Sequence, residues 1–108
     1  MMADPMGFDA LGVDIGARIS VIAVDAAPGS GPRLHRHAYE EVFVIIEGEA
    51  TFTLGDTEHV AHAGEVVVAP AGVAHAFTNS GTTRLRQVDI HVNPRFETEW
   101  LAPAEEES

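Results

Sequence analysis

Apolar residues in this chain come in short runs, interrupted at close intervals by Gly, Pro, Asn and Asp. Branched residues dominate these runs and none keeps a helical period for long, so the pattern predicts strands. Eight are expected: Arg18–Asp25, Arg33–His37, Val42–Glu47, Ala50–Leu54, Thr57–His62, Val66–Ala69, Ala74–Asn79 and Thr83–Val92. Gly55-Asp56 suits the tight turn of a hairpin between the fourth and fifth. "AAPGSGP", "AGE", "PAG" and "SGT" break the chain elsewhere. Only "PRFETEWLAPAEEES" leaves room for a helical turn, with a frayed end.

Eight short strands in 108 residues predict a single all-β domain, a sandwich or small barrel. Residues 1–17 are expected to form an arm, 18–93 the barrel and 94–108 a C-terminal segment. "VFVIIE" and "VVVA" are apolar at every position but one instead of alternating, so both of their faces are expected to be covered. One barrel covers one face. A second copy of the chain covers the other in the favoured reading, which predicts a homodimer; a returning chain segment is the alternative.

Charge narrows the partners. Seventeen acids stand against six arginines, with no lysine, for a formal charge of −11. Such a surface repels a phosphate backbone, so no nucleic-acid partner is expected. The N-terminal stretch has no basic segment ahead of an apolar core, and no apolar run approaches the length of a membrane span. A cytoplasmic location without membrane contact is the default expectation. With no cysteine, any metal must take nitrogen or oxygen.

Candidate chemistry sits in "GSGPRLHRHAYEEVFVIIEG". On a strand, His35 and His37 project to one side and Arg36 to the other. Glu41 has the parity of His37, while Arg36 and Glu40 point outward. "PAGVAHAFTN" turns at Pro70 and Gly72 and delivers His75 from a distant strand. Burying these groups unpaired is costly, and a divalent metal would compensate them. Three imidazoles and a carboxylate suit iron, manganese, nickel, cobalt, copper or zinc rather than magnesium or calcium.

Phe43 and Phe77 share the parities of Glu41 and His75 and are expected beside the site or in the core. On the last strand Gln87, Asp89 and His91 share one face. Facing inward, Asp89 or His91 could orient a ligand or move a proton; the expectation is that this face looks outward into solvent. His59 and His62 are read as surface. Phe96 and Trp100 are read as an apolar flap over a barrel end or against a partner chain, with a substrate lid as the alternative.

These residues resemble the cupins. Gly29, His35, His37, Glu41 and Gly48 fill that family's first motif, and Gly64, Pro70, Gly72, His75 and Asn79 its second, fifteen residues apart. The resemblance implies a double-stranded β-helix, or jelly roll, with one divalent transition metal held by His35, His37, Glu41 and His75. It leaves two adjacent coordination positions open for a small-molecule ligand. Dioxygenase-like chemistry on a small oxygen-bearing molecule is then the leading function. A redox-silent isomerase or decarboxylase and a non-catalytic binding module are the alternatives, since this fold hosts many chemistries.

Overall fold

A computed structural model describes residues 8–101. Ten strands and one short helix occur among them: β1 Asp9–Ala10, α1 Gly12–Ile15, β2 Ser20–Ala26, β3 His35–Arg36, β4 Glu41–Glu47, β5 Glu49–Leu54, β6 Thr57–His62, β7 Val66–Ala69, β8 His75–Asn79, β9 Leu85–His91 and β10 Glu99–Trp100. All eight expected strands are present, Thr57–His62 and Val66–Ala69 with the expected ends and the other six with shifted ones. The additions are β1, α1 and β10. The C-terminal segment therefore makes a strand where a helical turn was expected; the expected frayed end falls at residues 102–108, outside the described residues. No helix among the described residues is long and apolar enough to cross a membrane.

Two five-stranded sheets face each other, β1-β2-β9-β4-β7 and β10-β3-β8-β5-β6, and neighbouring strands in both run antiparallel. This is the all-β jelly roll anticipated from the strand pattern. The inner face of the first sheet can be read in rows across β2, β9, β4 and β7. Ser20, His91, Glu41 and Ala69 form one row; Ile22, Asp89, Phe43 and Val67 the next; Val24, Gln87 and Ile45 a third. Ala26 and Leu85 close the series.

The rows grade from polar to apolar. At the closed end Phe43, Phe52 and Phe77 pack ring to ring at 4.9–6.0 Å, with Ile45, Val67 and Leu85 around them. At the open end the histidines and Glu41 collect. Asn79 ties the turn near the closed end: its Nδ2 donates to the Ala26 and Thr83 carbonyls and its Oδ1 accepts from the Gly81 N–H.

One expectation is overturned. Gln87, Asp89 and His91 face inward and are almost completely buried, at 0%, 3% and 4% exposure. The rule that apolar residues take the inner face fails on β9 because its alternation is inverted: Val88 and Ile90 lie outside. There they join Val21, Val42 and Val68 in one outer row, and Ala23, Val44 and Val66 in another. On this face Val66 and Val68 of the edge strand β7 stay 59% and 45% exposed, while Val42, Val44, Val88 and Ile90 in its middle are half-buried.

Two glycines are required for different reasons. A Cβ on Gly31 would lie 1.9 Å from the Phe77 carbonyl oxygen, because this segment is pressed against β8. Gly72 has φ +79° with open space around it. Gly31→Ala is expected to lose about 3 kcal/mol or more, as both backbones must shift. Gly72→Ala should lose about 1–2 kcal/mol from conformation alone. Urea unfolding of the two variants checks the order.

Candidate metal centre

Five elements converge on the open end. β3 brings His35, the link after it His37 and β4 Glu41. The Pro70–Gly72 turn leads into β8 and His75, and β9 ends on His91. All five side chains are buried. One donor atom from each of His35, His37, Glu41 and His75 lies within 4.8 Å of the others. Arg36 and Glu40 point outward as expected.

Hydrogen bonding sets the imidazole tautomers. His35 Nδ1 lies 2.7 Å from the Arg33 carbonyl, His75 Nδ1 3.0 Å from that of Val73, and His37 Nδ1 2.8 Å from that of Glu97. A carbonyl only accepts, so each Nδ1 carries the hydrogen and each Nε2 presents a lone pair to the centre. Glu41 Oε1 lies 3.0 Å from His37 Nε2 and 3.1 Å from His75 Nε2. With neutral rings, buried lone pairs at that distance repel unless a proton, as in the His75–Glu41 hydrogen bond, or a metal cation sits among them. His37 Nε2 makes no hydrogen bond despite its closeness to the carboxylate, because the alignment is wrong for one. Ligands at right angles around an ion, each bonded at about 2.1 Å, stand about 3.0 Å apart. The donor set therefore fits one divalent ion of the nitrogen- and oxygen-loving kind.

His91 is built the opposite way. The Glu97 N–H donates to the Tyr39 hydroxyl at 2.9 Å, which leaves the Tyr39 O–H free to donate to His91 Nδ1 at 2.8 Å. His91 Nε2 then carries its hydrogen and donates to Glu41 Oε2 at 3.1 Å. So His91 orients the carboxylate and leaves Oε1 for the centre. Tyr39 also stacks on His37 at 4.9 Å between ring centroids.

Electrostatics reflect this crowding. Burial alone would raise Glu41, but the surrounding imidazoles outweigh it and hold the carboxyl well below the usual carboxylate range. For His37, burial disfavours the charged ring, yet the Glu41 carboxylate and Glu97 carbonyl more than offset it, so its pKa rises. His35 moves down, chiefly through burial. Asp89, flanked across the sheet by Ile22 and Phe43, is pushed well above the usual range by burial and by Glu41, against the bond from Gln87.

Beside the centre lies a cavity of about 390 Å³ that includes Asp89, His91 and Phe77 in its wall. Phe77 is thus where the sequence placed it. Phe43 takes the core alternative: it is enclosed with Phe52 and meets only the edge of His75 at 5.8 Å. His59 and His62 are exposed, as expected. Phe96 packs on His91 at 4.8 Å and Trp100 on His35 at 4.9 Å, and both line the cavity mouth. They sit as the expected apolar flap over this end of the barrel, at the place a lid would take. The sequence reading missed Tyr39 and Glu97. Tyr39 shares the parity of His35, His37 and Glu41, a signal that was available; the Glu97 contact spans sixty residues and left none.

A family model described as "Cupin domain" matches residues 23–91. The chain is a cupin. It is similar to mannose-1-phosphate guanylyltransferase 2 of Escherichia coli O157:H7, 31% identical over 80 residues that make up 72% of this chain and 16% of that protein. Auxin-binding protein 1 of Arabidopsis thaliana is 31% identical over 90 residues, 71% of this chain and 46% of the relative. The cupin thus spans less than half the length of these curated relatives. An oxalate decarboxylase of Lactobacillus farciminis, solved as a formate complex, shares the fold with a TM-score of 0.79 at 23% identity, over 88% of this cupin and 30% of that chain.

Protein purified without added metal is expected to carry about one equivalent of a transition metal, and a His35→Ala, His75→Ala variant little, by elemental analysis. Tyr39→Phe should keep the stoichiometry but weaken affinity about tenfold, because His91 and Glu41 lose their orientation.

Proposed function

We propose that this cupin is a metal-dependent enzyme, dioxygenase-like in its chemistry, acting on a small oxygen-bearing organic molecule. The single observation that supports the reading is the convergence of the Nε2 lone pairs of His35, His37 and His75 on Glu41 Oε1, each imidazole locked by a carbonyl behind it. A bound iron, manganese, nickel, cobalt, copper or zinc ion would supply Lewis acidity and, where redox-active, electrons for dioxygen.

The chain's own residues do the rest. His91 holds Glu41 through Oε2 while Tyr39 holds His91. Asp89 sits in the cavity wall with Oδ1 accepting from Gln87 Nε2, and burial beside Glu41 pushes its carboxyl toward holding a proton. Phe96 and Trp100 exclude water from the mouth. A redox-silent decarboxylase or isomerase would use the same groups, and the shared fold of the oxalate decarboxylase favours it as the second reading. A binding module without turnover remains distinct from both. His91 is already engaged at both ring nitrogens, which leaves Asp89 as the acid or base free to act.

Protein loaded separately with iron(II), manganese(II) and zinc(II) separates these readings. Oxygen uptake with a panel of catechols, thiol acids and β-diketones in the iron form alone is the expected result. Product formation that needs no oxygen would point to the redox-silent chemistry, and saturable binding without product to the binding module.

We also propose that a second copy covers the outer face of the first sheet. Its valine and isoleucine rows form a contiguous apolar patch, most exposed at Val66 and Val68, of the kind that two-fold dimers cover. Light scattering after gel filtration is expected to give twice the chain mass. Val44→Asp, in the middle of the patch, should give the monomer mass with an unchanged circular dichroism spectrum.

A further inference from the structure

The cavity beside the histidines is selective in its wall. Ile22, Val24 and Ala26 of β2, Phe77 of β8, and Phe96 and Trp100 from the C-terminal segment supply most of its surface. Ile22, Val24 and Ala26 point inward yet remain only half-buried, because the cavity lies over them. No arginine lines the cavity, and the chain has no lysine. The Arg33 guanidinium lies against the Trp100 ring at 4.6 Å without entering the wall, and Arg36 is held outside by both carboxylate oxygens of Glu99. The remaining ionisable group in the wall, outside the histidines and Glu41, is the acid Asp89.

Charge balance then limits what can bind. A divalent ion held with Glu41 leaves one positive charge for a substrate to match. A ligand with one negative charge shared between two oxygens makes the site neutral. A dicarboxylate would bring a second negative charge into an apolar cavity with no cation to meet it, which is strongly disfavoured.

Resting on the metal reading above, we infer that the substrate is a molecule with an apolar body and a chelating oxygen pair of at most one negative charge, such as the enolate of an aryl β-diketone, and not a small dicarboxylate of the oxalate type. The oxygen pair reaches the centre between His35 and His91, and the apolar body lies along β2 beneath Phe96 and Trp100. This departs from the substrate named for the fold-related oxalate decarboxylase. The same jelly roll would then serve a different ligand chemistry through its wall alone.

Zinc(II)-loaded protein, which cannot turn over with dioxygen, allows binding to be read directly by titration calorimetry with 1-phenylbutane-1,3-dione and with oxalate. Zinc content is measured before and after each titration. The diketone is expected to bind about tenfold tighter than oxalate or better. Phe96→Ala should weaken the diketone severalfold with zinc retained, since it removes apolar wall and Phe96 is not among the four side chains that would hold the ion. Thr98→Arg, which puts a cation at the mouth, should raise oxalate affinity about tenfold. Failure to retain zinc would overturn the metal reading and this inference together. Retained zinc with oxalate bound as tightly as the diketone, or with Phe96→Ala indifferent, would overturn the inference alone.

Discussion

The open end of this barrel is organised by lone pairs that cannot tolerate one another. Three imidazole nitrogens and a carboxylate oxygen are pressed to within 4.8 Å inside a buried pocket, and each has spent its means of avoiding the others. His35 and His75 are fixed by carbonyls two residues before them, so local chain geometry sets their tautomers. His37 is fixed by Glu97, sixty residues away. Two ligands are therefore oriented as their strands form, whereas the third waits for the C-terminal segment to dock.

A second constraint follows from the period of a strand. Once β9 places Gln87, Asp89 and His91 inside, alternation places Val88 and Ile90 outside, whatever the solvent prefers. The functional face and the sticky outer face of the first sheet are thus one decision taken in one strand. Neighbouring β4 compounds it, since Glu41 turned inward for the centre turns Val42 and Val44 outward beside Val88 and Ile90. Covering that outer face by a second copy would turn a consequence of building the site into a source of stability.

Much of this was legible before the structure. Strand parity put His35, His37 and Glu41 on one side, and the glycines at 48, 64 and 72 marked turns that do need positive φ. What could not be read were properties of pairing. The direction of β9 depends on its register against β2 and β4, which no pattern within the strand reveals. Phe43 has the parity of Glu41 but sits one row deeper, opposite Val67, where the barrel is already filled. β10 is two residues long and exists because Glu99 and Trp100 meet Arg36 and His35, too little apolar pattern to announce a strand.

The C-terminal segment, then, is where fold and chemistry become mutually dependent. Its apolar anchors are few: Phe96 rests on His91 and Trp100 on His35, while the Arg36–Glu99 pair is exposed and adds little by itself. It is also held by the pairing of β10 with β3, by the oriented rings beneath it, and by the Tyr39 hydroxyl and the His37 Nδ1 hydrogen it receives. Those rings in turn need the segment's carbonyl and amide to keep their orientation. A cation that fixes the imidazoles strengthens the platform on which the segment sits, and a seated segment completes both the ligand set and the apolar wall of the cavity. The position of the segment and the orientation of the rings are thus coupled through the same contacts.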